Sequence, residues 1–202
     1  MINTTRLRCT LGWLGMLLPW IVTILLWAFP PSISATYYEA PTITPFMIIL
    51  GAASFLLISY KGYDLQDDII NTLAGIFGLL ICLFPCGTNL DYVGTFQVPV
   101  NISAMIHNIA AVIFFGLLAY NSFFLFTKHG ESMTESKKKR NIIYRICGVG
   151  MIASFLLMLL PTFYIKIWLV ETIALFFFAL SFLTKADYYK WLFADSEAER
   201  SM

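Results

Sequence analysis

Six apolar stretches of 17 to 25 residues, near 9–29, 44–60, 69–86, 103–127, 142–160 and 164–184, alternate with short polar segments along this chain. At 1.5 Å rise per residue, roughly 20 residues cross a hydrocarbon layer about 30 Å thick. The pattern therefore predicts an all-α polytopic bundle of six transmembrane helices, built as one domain over residues 1–194. Local signals agree with those boundaries. Span one stops at Pro30-Pro31, which cannot continue a helix. Spans two and four end on Lys61-Gly62 and Lys128-His129-Gly130, each a basic residue followed by a glycine suited to a helix C-terminus. Span three opens at Asp67-Asp68, where the helix dipole favours negative charge, and carries Ala74, Gly75 and Gly78 as a face another helix can approach closely. The first span has Trp13, Pro19, Trp20 and Trp27 and is longer than a signal-peptide core, so it is read as a retained helix.

Charge adds an orientation. Of the 13 Lys and Arg residues, all but Lys166 fall in the N-terminal tail, the second and fourth gaps or the C-terminal tail, when Arg145 at the start of the fifth span is counted with the fourth gap. By the positive-inside rule both termini and the basic run Lys137, Lys138, Lys139, Arg140 are expected in the cytoplasm. That run is expected to favour anionic cytoplasmic-leaflet lipids by about 1 kcal/mol per basic residue, besides enforcing topology. Beyond span six, Tyr188, Tyr189, Trp191, Leu192 and Phe193 alternate with Asp187 and Lys190, an amphipathic stretch (186–194) expected along the membrane surface. Residues 195–202 are expected to form a mobile acidic tail.

Composition narrows the class. The chain is 59% hydrophobic and 12% charged, whereas soluble domains carry about 25% charged residues. Tyr37, Tyr38, Tyr60, Tyr63, Tyr92, Tyr164 and Trp168 recur near span ends, as interfacial belts do. Neither a Gly-rich phosphate loop, nor a nucleophile elbow, nor a nucleic-acid-binding module is present, and nucleic acid is not an expected partner. Two histidines, one of them the loop residue His129, do not suffice for a membrane metal hydrolase; no metal or other cofactor is expected. Cys9, Cys82, Cys86 and Cys147 lie in or at the ends of apolar spans, with Cys82 and Cys86 four apart on one helix, and are read as buried structural thiols.

Polar chemistry is concentrated in two places. Glu171 lies about 10 Å into span six from its outer end, and His107 lies early in span four on the same side, followed by Asn108. An intramembrane carboxyl must be protonated, paired or wetted, so a Glu171–His107 contact is expected. The pair either pins helix four to helix six or lines an outer-leaflet polar pocket. The second concentration, 61–68, contains Asp64, Asp67 and Asp68 but lacks the spacing of a calcium loop; helix capping and ion pairs with Lys61 or the 137–140 run are expected there.

Pro31 to Ser34 (Pro-Ser-Ile-Ser) after the first span, His107 early in the fourth and Glu171 in the outer half of the last together resemble the Frag/DRAM/Sfk family of six-helix membrane proteins, which includes damage-regulated autophagy modulators and proteins of GPI-anchor lipid remodelling. The resemblance implies a lipid-linked or membrane-organising role with Ser32, Ser34, His107 and Glu171 converging at the outer face, and no established reaction. The leading expectation is thus a non-enzymatic protein that binds or senses a membrane lipid through Glu171, His107, Asn108, Ser32, Ser34 and Trp168. A small proton-coupled transporter would need Glu171 and His107 to connect with Asn71, Thr72, Asn121 and Ser122. A lipid-modifying enzyme would need Ser32, Ser34 or His107 within reach of a scissile group.

Overall fold

The computed structural model describes residues 4–128, 134–158 and 167–188. It contains six long helices: α1 (Thr4–Leu26), α2 (Ala40–Ile58), α3 (Leu65–Leu83), α4 (Val100–Tyr120), α5 (Glu135–Met158) and α6 (Ile167–Lys185). All six are long and apolar enough to cross a membrane, α4 being extended to Leu125 by a π-helical turn. The protein is an integral membrane helical bundle.

Several boundaries differ from the apolar runs, for one reason. Polar side chains in a first turn can reach water or an ion-pair partner while the backbone stays helical, so α1 and α5 begin on polar residues and α3, which opens at Leu65, carries Gln66, Asp67 and Asp68 in its first turn. The 137–140 run consequently lies inside α5 rather than in the loop before it. At the other end of α3 the helix stops at Leu83, which leaves Cys86 in the following segment and not on a shared helix face with Cys82. All four cysteines are free thiols, Cys82 and Cys147 fully buried. His129, Tyr164, and residues 189–194 and 195–202 lie outside the described residues.

Each helix packs against its neighbours in sequence, and α6 returns to pack on α1. α6 is also the most enclosed of the six, more than half of its apolar stretch being buried against little over a third in any other. Small residues permit the close approaches. A Cβ at Gly75 would stand 2.4 Å from the Ser54 carbonyl oxygen of α2, and one at Gly78 would stand 2.3 Å from Ser54 Oγ, so the small face of α3 is where α2 seats, as its sequence predicts. Gly12 and Gly15 do the same for α1 against Leu183 and Phe178 of α6.

The start of α1 and the end of α6 share one end of the bundle, where Trp13 meets Tyr188 edge-on at 5.7 Å. At this terminal end Asp64 caps α3 by accepting from Asp67 N–H at 3.1 Å. Asp68 pairs with Lys61 at 2.9 Å, while Lys128 reaches Asp64 at 2.8 Å and Asp67 at 2.7 Å. The acidic segment is therefore a cap and a clip, with Lys128 rather than the 137–140 run as its second cation. Burial disfavours the Lys128 charge, yet hydrogen bonds to Asp64 and Asp67 outweigh it and hold that lysine above its usual range. The opposite, loop end carries a 3₁₀ turn (Ser34–Tyr38) between α1 and α2 and a short hairpin, β1 (Tyr92–Val93) with β2 (Val98–Pro99), between α3 and α4.

Candidate functional site

After Pro30-Pro31 breaks α1, the chain turns back over the bundle and the 3₁₀ turn begins with N–H groups that no helix satisfies. Glu171, in the second turn of α6, supplies the acceptor: its carboxylate takes the Ile33 N–H on one oxygen and the Ser34 hydroxyl at 3.0 Å on the other. One turn earlier on α6, the Trp168 N–H donates to Pro31 O at 3.1 Å. Ser32 does different work, its Oγ accepting the Ala35 N–H at 2.9 Å and so closing the turn. Thr36 and Thr42 complete the knot, Thr42 Oγ1 donating to Thr36 O at 2.8 Å.

His107 belongs to a second knot. The segment leaving α3 presents three consecutive carbonyls without strand or helix partners. Phe84 O meets His107 Nδ1 at 2.9 Å, Pro85 O accepts from Ser103 Oγ at 2.8 Å, and Cys86 O accepts from the Tyr38 hydroxyl. Since a carbonyl can only accept, Nδ1 of His107 carries a proton. Ser103 and His107 are four residues apart and share one face of α4. Burial pushes the Tyr38 phenol up to about 12, which keeps it a neutral donor. Burial, and next the nearby Glu171 carboxylate, pushes the Cys86 thiol up to about 11.

The expected direct Glu171–His107 bond is therefore not the one formed. Each group instead meets backbone polar atoms that would otherwise go unsatisfied, and α4 and α6 have little direct contact. The two knots adjoin through the 84–86 segment, with Tyr38 tying the 3₁₀ turn to Cys86. Of the six residues expected in the site, Glu171, Ser34, Ser32 and Trp168 gather around the 3₁₀ turn, and His107 stands one segment away. Asn108 does not join them; it is exposed on α4, whereas its neighbour His107 is buried. Ile33, Tyr38, Cys86 and Ser103 were not expected. Only Ser103 had a sequence signal, a polar residue one turn before His107 on an apolar helix.

One polar atom here has no partner. Trp168 is 7% exposed and its Nε1–H lacks an acceptor among the described residues. Its ring meets Phe29 at 4.8 Å and Trp20 at 6.0 Å, both edge-on, and these two are themselves exposed, as is Trp27. A buried indole donor one turn from a carboxylate, rimmed by aromatic rings at the end of a membrane bundle, is a place for a polar group carried on an apolar body.

Deeper in the bundle, Asn121 Nδ2 donates to Asn71 Oδ1 at 2.6 Å, and Ser122 Oγ donates to Tyr144 O at 2.9 Å. Ala110, Phe114 and Leu118, all buried on α4, separate this group from His107. The chain matches no protein-family model, and no curated protein or solved structure is significantly similar to it.

Proposed function

We propose that the loop end of the bundle binds a membrane lipid near its headgroup, in a non-enzymatic, membrane-organising role. The observation that carries this reading is the buried Trp168 Nε1–H without an acceptor, beside Glu171 and behind the exposed rings of Trp20 and Phe29. An ester or phosphate oxygen of a lipid would satisfy that donor, while the aromatic rim would lie against the acyl region. The charge asymmetry of the sequence supports placing this end in the outer leaflet with both termini cytoplasmic, and the Pro31–Ser34, His107 and Glu171 pattern resembling the Frag/DRAM/Sfk family points the same way. A binding rather than a catalytic role is favoured because Ser32 and His107 are each committed to a backbone partner.

Lipid extraction and native mass spectrometry of purified protein test it. Trp168→Phe keeps an aromatic ring at this position and removes the N–H together with part of the indole volume, so it should lose a co-purifying lipid that the parent retains while still unfolding cooperatively in lipid-free detergent. An identical lipid complement in Trp168→Phe and the parent would overturn the reading.

A further inference from the structure

The other end of α6 holds a second buried ion. Lys185 is 7% exposed, and its ammonium lies over the rings of Tyr63, Phe126 and Tyr144 at 4.6, 5.1 and 5.9 Å. It donates to the Tyr63 hydroxyl at 3.3 Å and the Phe126 carbonyl at 3.5 Å. Lys137 of α5 donates to that same carbonyl at 2.8 Å and also lies over Tyr144. Arg8 of α1 donates from Nε to the Tyr60 hydroxyl at 3.0 Å with its guanidinium 5.3 Å from the Tyr60 ring centre, and Tyr60 packs on Phe182, which packs on Phe126. Three cations from three helices thus face one aromatic wall.

None of the three has a carboxylate within ion-pair range among the described residues. The acids that stand closest are taken: Asp67 and Asp64 by Lys128, Asp187 by Arg140. Aromatic faces and a carbonyl at a helix C-terminus favour a cation, and that accounts for one lysine here. They do not balance two ammonium groups sharing one oxygen with a guanidinium nearby, since a helix end carries only about half an elementary charge. Donors are also left over. An ammonium has three N–H bonds, and both terminal nitrogens of Arg8 make no hydrogen bond among the described residues. A compact group with more than one negative oxygen would complete this set.

We propose that Lys185, Lys137 and Arg8 form a binding site for a phosphate group, carried by the headgroup of an anionic lipid or as a free phosphate. The assignment is independent of the loop-end site, some 14 residues and about 21 Å away along α6. It differs from diffuse attraction of lipids by 137–140, because it depends on Lys185 and Arg8, which that run does not contain. Lysine point charges with one arginine are a usual phosphate-binding set.

The test compares thermal unfolding of the full-length protein and Lys185→Met in phosphatidylcholine nanodiscs with and without phosphatidic acid, and in detergent with and without inorganic phosphate. The parent should be stabilised by at least one phosphate source: phosphatidic acid alone identifies a lipid headgroup, inorganic phosphate a soluble ligand. Lys185→Met should weaken that ligand about tenfold or more, yet be no less stable than the parent when phosphate is absent, because an uncompensated buried charge has been removed. Lys137→Met provides a second variant should Lys185→Met fail to accumulate, and Lys61→Met, altering an exposed pair, should keep the full response. No stabilisation of the parent by either source, or an equal response in the parent and both the Lys185 and Lys137 variants, would overturn the proposal.

Discussion

Replacing Glu171 by glutamine probes the joint between α6 and the 3₁₀ turn. In the native arrangement both carboxylate oxygens accept, one from Ile33 N–H and one from Ser34 Oγ–H. A glutamine retains a single acceptor oxygen and turns an amide NH₂ toward the other donor. The loss is one hydrogen bond to a charged group, worth about 1.5–3 kcal/mol. Facing donors in a poorly solvated place bring the expected loss to about 3 kcal/mol. Ser34→Ala deletes one acceptor–donor contact and leaves the Ile33 bond intact, so it should cost about 1.5 kcal/mol. With about 2–4 °C per kcal/mol for a chain of this size, Tm should fall by about 6–12 °C for Glu171→Gln and about 3–6 °C for Ser34→Ala. The double variant should fall short of the sum by about 0.5 kcal/mol or more, because both changes strike the same bond. Thermal unfolding followed by tryptophan fluorescence in a single detergent reads all four proteins. Glutamine unfolding at the parent temperature would refute the reasoning: it would mean a protonated acid donates to Ser34 Oγ, a role an amide reproduces.

Two further outcomes follow from the helix contacts and the clip. Gly75→Ala should destabilise by about 1–3 kcal/mol because its methyl meets the Ser54 carbonyl, whereas Gly116→Ala, with open space around it, should be neutral or stabilising by up to about 1 kcal/mol; equal Tm values would sink the close-approach argument. The Asp64 carboxyl is held below its ordinary value by the Lys128 hydrogen bond and then by the Asp67 N–H. A depressed acid stabilises the fold above its ordinary value and loses that contribution as pH falls through the lower folded value. Unfolding of the parent should therefore show an acid-side decline below about pH 4 that Asp64→Asn lessens, and identical acid limbs would count against the clip.

The six helices were legible because a bilayer demands long apolar runs, and nothing subtler than their count and spacing was needed. Their ends were less so. Thr4, Thr5, Arg6 and Arg8, Asp67-Asp68 and Glu135 to Arg140 are polar yet helical, since side chains near a helix start can reach water or, like Asp67, an ion-pair partner while the backbone bonds inward. Glu171 stood out as a carboxyl in an apolar helix, and Ser34 only through the Pro-Ser-Ile-Ser resemblance. The bond from the Ile33 backbone N–H to Glu171 did not, because nearly every residue has such a group and composition cannot say which are left unpaired. The same holds for His107: the sequence pointed to the side chain most suited to bond with it, and a carbonyl of Phe84 took that place. Lys185 carried no signal of burial; by position it was one more basic residue after a membrane span, and only packing of Tyr63, Phe126 and Tyr144 around it makes it unusual.

Closure of α6 onto α1 has a consequence for biogenesis. The last of the six to leave the ribosome is the one whose sides are most covered, so until it inserts, the face of the first helix at Gly12 and Gly15 lacks the neighbour that fills it. Insertion of the sixth is then the step at which the barrel of helices shuts, and it delivers an acid to one rim and a lysine to the other in a single stroke.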